Sequence, residues 1–77
     1  MKKTVDFWQF IVPLEREPYY FTTMTIEQED PPFKKVSETV TLSLSDVQAN
    51  ADKKALSDLI EAKLEASLLW LEEQINA

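Results

Sequence analysis

Hydrophobic positions up to Leu44 recur with the period of strands, and from Ser45 onward with the period of a helix. Residues 4–12, TVDFWQFIV, are β-branched and aromatic and predict a first strand. Neither phase is clean: Val5, Phe7 and Ile11 fall on one face, and Trp8, Phe10 and Val12 on the other. A strand apolar on both faces is expected at the centre of a sheet, or with its second face covered by another chain. Pro13 ends it, since proline has no N–H to give to a ladder. The connection PLEREP (residues 13–18) has a proline at each end and a charged tip at Glu15-Arg16-Glu17. With no glycine in the chain, a two-residue Asn-Gly turn is excluded, and a longer loop of type I geometry is predicted.

The second predicted strand, residues 19–27, places Tyr20, Met24 and Ile26 on one face and Tyr19, Phe21, Thr23 and Thr25 on the other. QEDPPFKK (residues 28–35) then breaks the pattern. Pro-Pro favours extended geometry, so this reads as a stiff, exposed connector with Phe33 folded back onto the body. The third strand, residues 36–44, collects Val36, Val40, Leu42 and Leu44 on one face, and Ser37, Thr39, Thr41 and Ser43 on the other. Glu38 intrudes on the apolar face, which predicts a bulge or an edge position.

Ser45–Ala77 contains no proline or glycine and is rich in Ala, Leu, Glu and Lys. It predicts one long helix, capped by Ser45 or Asn50 and running from about 46 or 51 to about 75. The element order β-β-β-α predicts an α+β fold in one small domain over residues 1–77. A three-stranded antiparallel meander packs against one long C-terminal amphipathic helix.

At 100° per residue, the helix sorts into three faces. Leu56, Ile60, Leu64, Leu68, Leu71 and Ile75 form the stripe expected to lie on the sheet. Ala55, Leu59, Ala62, Ala66, Leu69 and Trp70 form a second apolar arc. Its alternating spacing of four and three is the period of a helix–helix seam, with small residues that allow close approach. One stripe is enough to cover three strands. The arc therefore lies either in an intramolecular groove or, as the small domain favours, against a second chain in a homodimer. The third face holds Lys54, Asp58, Glu61, Glu65 and Glu72. Asp58–Glu61 and Glu61–Glu65 are like-charge pairs at helical spacing, each costing about 0.2–0.5 kcal/mol. This row is either a solvated face that keeps the chain soluble or a docking face for Lys and Arg on a partner. Regularly spaced carboxylates of this kind can also stand in for phosphates.

Charge sharpens the picture. Fourteen acidic against 8 basic residues give a formal charge of −6, so direct nucleic-acid binding through phosphates is not expected. An acidic helix face is repelled by anionic lipid, and no stretch approaches the ~20 apolar residues of a membrane span. Met1-Lys2-Lys3 and the apolar run after it resemble a signal peptide. However, Asp6 and Gln9 interrupt that run and no small-residue cleavage pattern follows, so a cytoplasmic location is expected.

Candidate chemistry is sparse. The chain has no Cys and no His, which excludes disulfides, the familiar zinc sites, thiol nucleophiles and the commonest general base. Glu27, Glu29 and Asp30 stand close together, but a Ca²⁺ loop needs more oxygens and a glycine turn. The absence of glycine also rules out a phosphate-binding loop. No cofactor, no metal and no enzymatic activity are expected. Trp8, Tyr19 and Phe21 flank the first hairpin, where exposed aromatics would make interface hot spots. No motif assigns the chain to a family. Its profile is that of the small acidic regulators and inhibitors that bacteria and their phages encode, an analogy of class only. Two functions are therefore expected in competition. One is a non-enzymatic module that binds a basic protein partner through its acidic and aromatic surface. The other is a structural homo-oligomer assembled through the helix seam.

Overall fold

A computed structural model describes residues 1–77 as an α+β fold, with a four-stranded antiparallel sheet followed by a short and a long helix. Strands β1 (Lys2–Val5) and β2 (Gln9–Ile11) both pair with β3 (Tyr19–Gln28), whose other edge carries β4 (Lys34–Ser43). The meander stands as predicted, but its first strand is broken in two and lies at an edge. The central strand is β3.

A bulge explains why the first strand reads as apolar on both faces. Val5 pairs with Met24 and Gln9 with Phe21, so Asp6, Phe7 and Trp8 oppose only Thr22 and Thr23. The extra residue shifts the side-chain phase by one, as a β-bulge does. Val5 before the bulge and Phe10 after it therefore share one face with Met24 and Tyr20, although they differ in phase along the sequence. Trp8 turns to the same side and packs against the core. The bulge is held by Asp6 N–H donating to Thr23 O at 3.1 Å and Thr22 Oγ1 donating to Asp6 O at 2.7 Å. The second bond satisfies a hydroxyl that is otherwise fully buried. The bulge expected at Glu38 does not form. The β3–β4 ladder runs unbroken from Tyr19↔Ser43 to Gln28↔Lys34, and Glu38 occupies an edge strand opposite Met24.

The predicted single helix is two. Helix α1 spans Leu44–Ala49 and α2 spans Lys53–Ile75, each starting about two residues from one of the two predicted starts and on a different cap. The N-caps are Ser43, whose Oγ accepts from Asp46 N–H at 3.0 Å, and Asp52, whose Oδ2 accepts from Ala55 N–H at 3.2 Å. Asn50 caps the C-terminal end of α1 instead, its side-chain amide donating to Asp46 O at 2.8 Å. Ser45 caps nothing. Its N–H donates to Glu17 Oε1 at 2.7 Å and its hydroxyl bonds the same oxygen, which ties the first hairpin to α1.

The core is small and lies toward one end. Met24, Ile26, Val40, Leu71 and Ile75 form it, with Trp8, Val36, Leu64 and Leu68 packed around it. Leu71 and Ile75 are 0% exposed, whereas Leu56 and Ile60, on the same stripe of α2, are only half-buried. Helix α2 thus meets the sheet closely at its C-terminal end. Toward its N-terminus an apolar cavity of ≈ 290 Å³ opens between Trp8, Tyr20, Leu42, Val47, Leu56 and Ile60. Lys34 secures the tight end by donating from Nζ to Ile75 O at 3.1 Å and Ala77 O at 3.2 Å. Ile75 O is a carbonyl that the helix end leaves unpaired, and a cation there suits the helix dipole. The 28–35 connector carries a cis peptide at Pro31-Pro32, and Phe33 is 75% exposed rather than folded back onto the body.

The molecule is a slab of 43 × 30 × 19 Å with a radius of gyration of 14.4 Å. A compact chain of this length would have about 11.5 Å. Its accessible surface is 5620 Å². A compact monomer of this mass exposes about 4,800 Å².

The gradient along α2 gives an expected outcome. Leu71→Ala opens a void in the only tightly packed region and should cost about 2–5 kcal/mol. Leu56→Ala, which borders existing space, should cost less than half as much. Urea denaturation of the two variants checks the ratio.

Candidate functional site

The three predicted helix faces map onto three different surroundings. The core stripe covers β3 and β4. Of the acidic row, Glu61 and Glu65 stand at the β1 side of the helix. There they line an open trough of ≈ 390 Å³ with Lys3, Val5, Met24, Leu64 and Leu68. Its apolar floor comes from both layers and its acidic rim from α2. The trough exists because α2 rests over β3 and β4, leaving β1 uncovered.

Electrostatically this rim is unspent. The single ion pair in the chain joins Lys54 Nζ to Asp58 Oδ2 at 3.0 Å on the solvent side of α2. It is an exposed helical pair, worth about 0.3–0.5 kcal/mol. Glu61 and Glu65 have no cation within 4.0 Å, although Lys3 lies across the same trough. Asp58 is thus partly neutralised within the chain, Glu72 is half-buried farther along α2, and Glu61 with Glu65 remain free.

The edge of the sheet beside the trough is also open. Asp6 N–H bonds to Thr23 O, and the two-residue alternation of an antiparallel ladder then turns Lys2 and Thr4 toward β3. The backbone groups of Lys3 and Val5 face outward. A strand laid along β1 would find hydrogen-bonding groups, an apolar floor and two carboxylates together.

The aromatic set predicted at the first hairpin is divided by the sheet. Tyr19 and Phe21 lie on the face away from the helix, ring centroids 6.2 Å apart, with the Arg16 guanidinium 5.2 Å from the Tyr19 ring. Trp8 is on the opposite, helix-facing side and belongs to the wall of the apolar cavity. Phe7 in the bulge, 93% exposed, is the aromatic that sequence reasoning missed. Strict alternation placed it with Val5, and only the bulge turns it outward.

Of the seam arc, Ala55 and Leu59 are half-buried and Ala62 and Ala66 are exposed. Leu69 is 58% and Trp70 46% exposed. Leu69 and Trp70, at the exposed end of the arc, are its largest side chains together with Leu59. No helix is long and apolar enough to cross a membrane, and no three Asp or Glu side chains converge as metal ligands would.

The two neighbouring aromatics of the bulge should respond oppositely to substitution. Phe7→Ser should change unfolding free energy by no more than about 0.5 kcal/mol, as at other exposed positions. Trp8→Ala should cost about 2 kcal/mol or more by chemical denaturation. No protein-family model, curated protein or solved structure matches this chain.

Proposed function

We propose that this protein is a non-enzymatic, acidic protein-binding module that engages a basic, amphipathic segment of a partner in the trough between β1 and α2. The observation that carries this reading is the joining of unpaired Glu61 and Glu65 to an apolar floor of Val5, Met24, Leu64 and Leu68. Apolar burial supplies affinity, since about 25 cal/mol is gained per Å² removed from water. The carboxylates select partners with Lys or Arg and speed encounter. The outward-facing backbone of Lys3 and Val5 favours an extended partner, in the manner of a strand added to a sheet edge.

A partner covering this trough displaces or pairs with Lys3, which competes for the same carboxylates. The role of a regulator or inhibitor follows naturally, because a module without catalytic groups acts by occupying a surface that its partner uses elsewhere. The Glu72 carboxylate extends the negative field along α2 beyond the two that line the trough, whereas Asp58 is paired with Lys54.

Charge reversal tests the reading. A synthetic strand peptide alternating Lys and Val should bind the wild-type chain, and binding should weaken as salt rises. The Glu61→Lys, Glu65→Lys double variant should lose at least tenfold in affinity by calorimetry, with its circular-dichroism spectrum unchanged. Reversal of Glu29 and Asp30, away from the trough, should have little effect. Equal loss from both pairs would mean that net charge alone attracts the peptide, and the trough would not be the site. The physiological partner, captured from the native host, should likewise be lost on reversal of Asp58, Glu61 and Glu65 together.

A further inference from the structure

The side of the molecule opposite the trough carries an edge of a different kind. Strand β4 is ten residues long, unbulged and free of proline. Leu44 N–H donates to Pro18 O at 2.9 Å, so ladder alternation turns the backbone groups of Val36, Glu38, Val40 and Leu42 toward β3. Those of Ser37, Thr39 and Thr41 point to solvent. Long edges without bulge or proline are templates for another strand.

Two charged groups beside this edge lack partners. Glu38 faces the helix layer, and its Oε2 is buried with no hydrogen-bond partner. A buried, unpaired carboxylate oxygen is costly. Lys63 is half-buried on α2 and lines an open cleft with Thr39, Val40 and Thr41, with no carboxylate within 4.0 Å.

We propose that two copies of this chain form a two-fold dimer in which their β4 strands pair antiparallel about Thr39, and Glu38 of each copy pairs with Lys63 of the other. Centring on Thr39 places Thr39 opposite itself and Ser37 opposite Thr41, a hydroxyl ladder on the outer face. On the helix side Val36 meets Leu42, and Glu38 meets Val40. Lys63 lines one cleft with Thr39, Val40 and Thr41, so pairing Val40 with the neighbour's Glu38 brings the two orphaned groups to the same stretch of the edge.

Spacing agrees. Helix α2 rests on β3 and β4, and adjacent strands lie about 4.8 Å apart. Two such helices related through the β4 edge would therefore run about 10 Å apart, the upper end of close helix packing. Small or short side chains are needed where they face, and Ala66 and Ser67 border this edge. The chain also exposes about 800 Å² more than a compact monomer of its mass, so surface remains for a partner to cover. This interface lies across α2 from the acidic trough and does not depend on the basic-partner reading.

An inward-facing charge on an edge strand can instead serve to prevent pairing. The two roles give opposite signs on neutralisation. Sedimentation equilibrium of the full chain at micromolar concentration should give twice the monomer mass. Glu38→Gln should weaken dimerisation at least tenfold. Lys63→Glu, a change on a helix surface that leaves folding intact by circular dichroism, should give monomer. Glu38→Lys combined with Lys63→Glu should restore the dimer. A monomeric wild type, tighter association of Glu38→Gln, a dimeric Lys63→Glu, or a double variant no more associated than Lys63→Glu alone would each overturn the proposal.

Discussion

Leu71 and Ile75 are where α2 meets the sheet, packed against Met24, Ile26 and Val40 with Lys34 holding the helix end from below. A chain with so small a core has few ways to place a helix, and this contact decides the placement. It sets α2 over β3 and β4. From that single choice follow the uncovered β1 strand, the trough beside it and the flanking of β4 by Lys63 and Ala66. It also follows that the N-terminal half of α2 stands away from the sheet above an apolar cavity. Exposed apolar surface arises here because the core is too small to use everything that is apolar.

The slab shape has the same origin. Three strands' width of sheet and one long helix make two layers, and two layers leave both the outer sheet face and the outer helix face in water. On the outer sheet face this is managed with Ser and Thr along β4 and with Tyr19 and Phe21 on β3. On the helix it is managed with charge on the β1 flank, while Leu69 and Trp70 stay exposed on the outer surface. The β1 and β4 flanks of the helix are chemically different and lie against different strands. A basic partner on one side and a second copy on the other are therefore compatible.

The bulge at Asp6–Trp8 has consequences beyond its own strand. It blunts the β1–β2 edge, as bulges do, and so limits strand addition there to the short β1 segment beside the trough. It also sends Trp8 inward and Phe7 outward. The unbulged β4 has no such protection. The difference between the two edges is a physical reason for assigning them different partners.

Sequence alone determined the element types, their order and the three-faced character of the helix. Period-two and helical spacing of apolar residues survive small errors of boundary, and the absence of Gly, Cys and His limits chemistry whatever the fold. Glu61, Glu65, Leu69 and Trp70 were legible as surface features for that reason. Sequence could not show which strand carries the bulge, because one extra residue merely exchanges two faces that were both apolar in TVDFWQFIV. Nor could it show that Ser43 and Asp52, not Ser45 and Asn50, start the helices, since all four are good caps and the choice depends on where β4 stops pairing. Which flank of α2 looks over β1 and which over β4 was decided only by tertiary packing. That is what set two carboxylates beside an open strand, and left Glu38 without a partner near the unpaired Lys63.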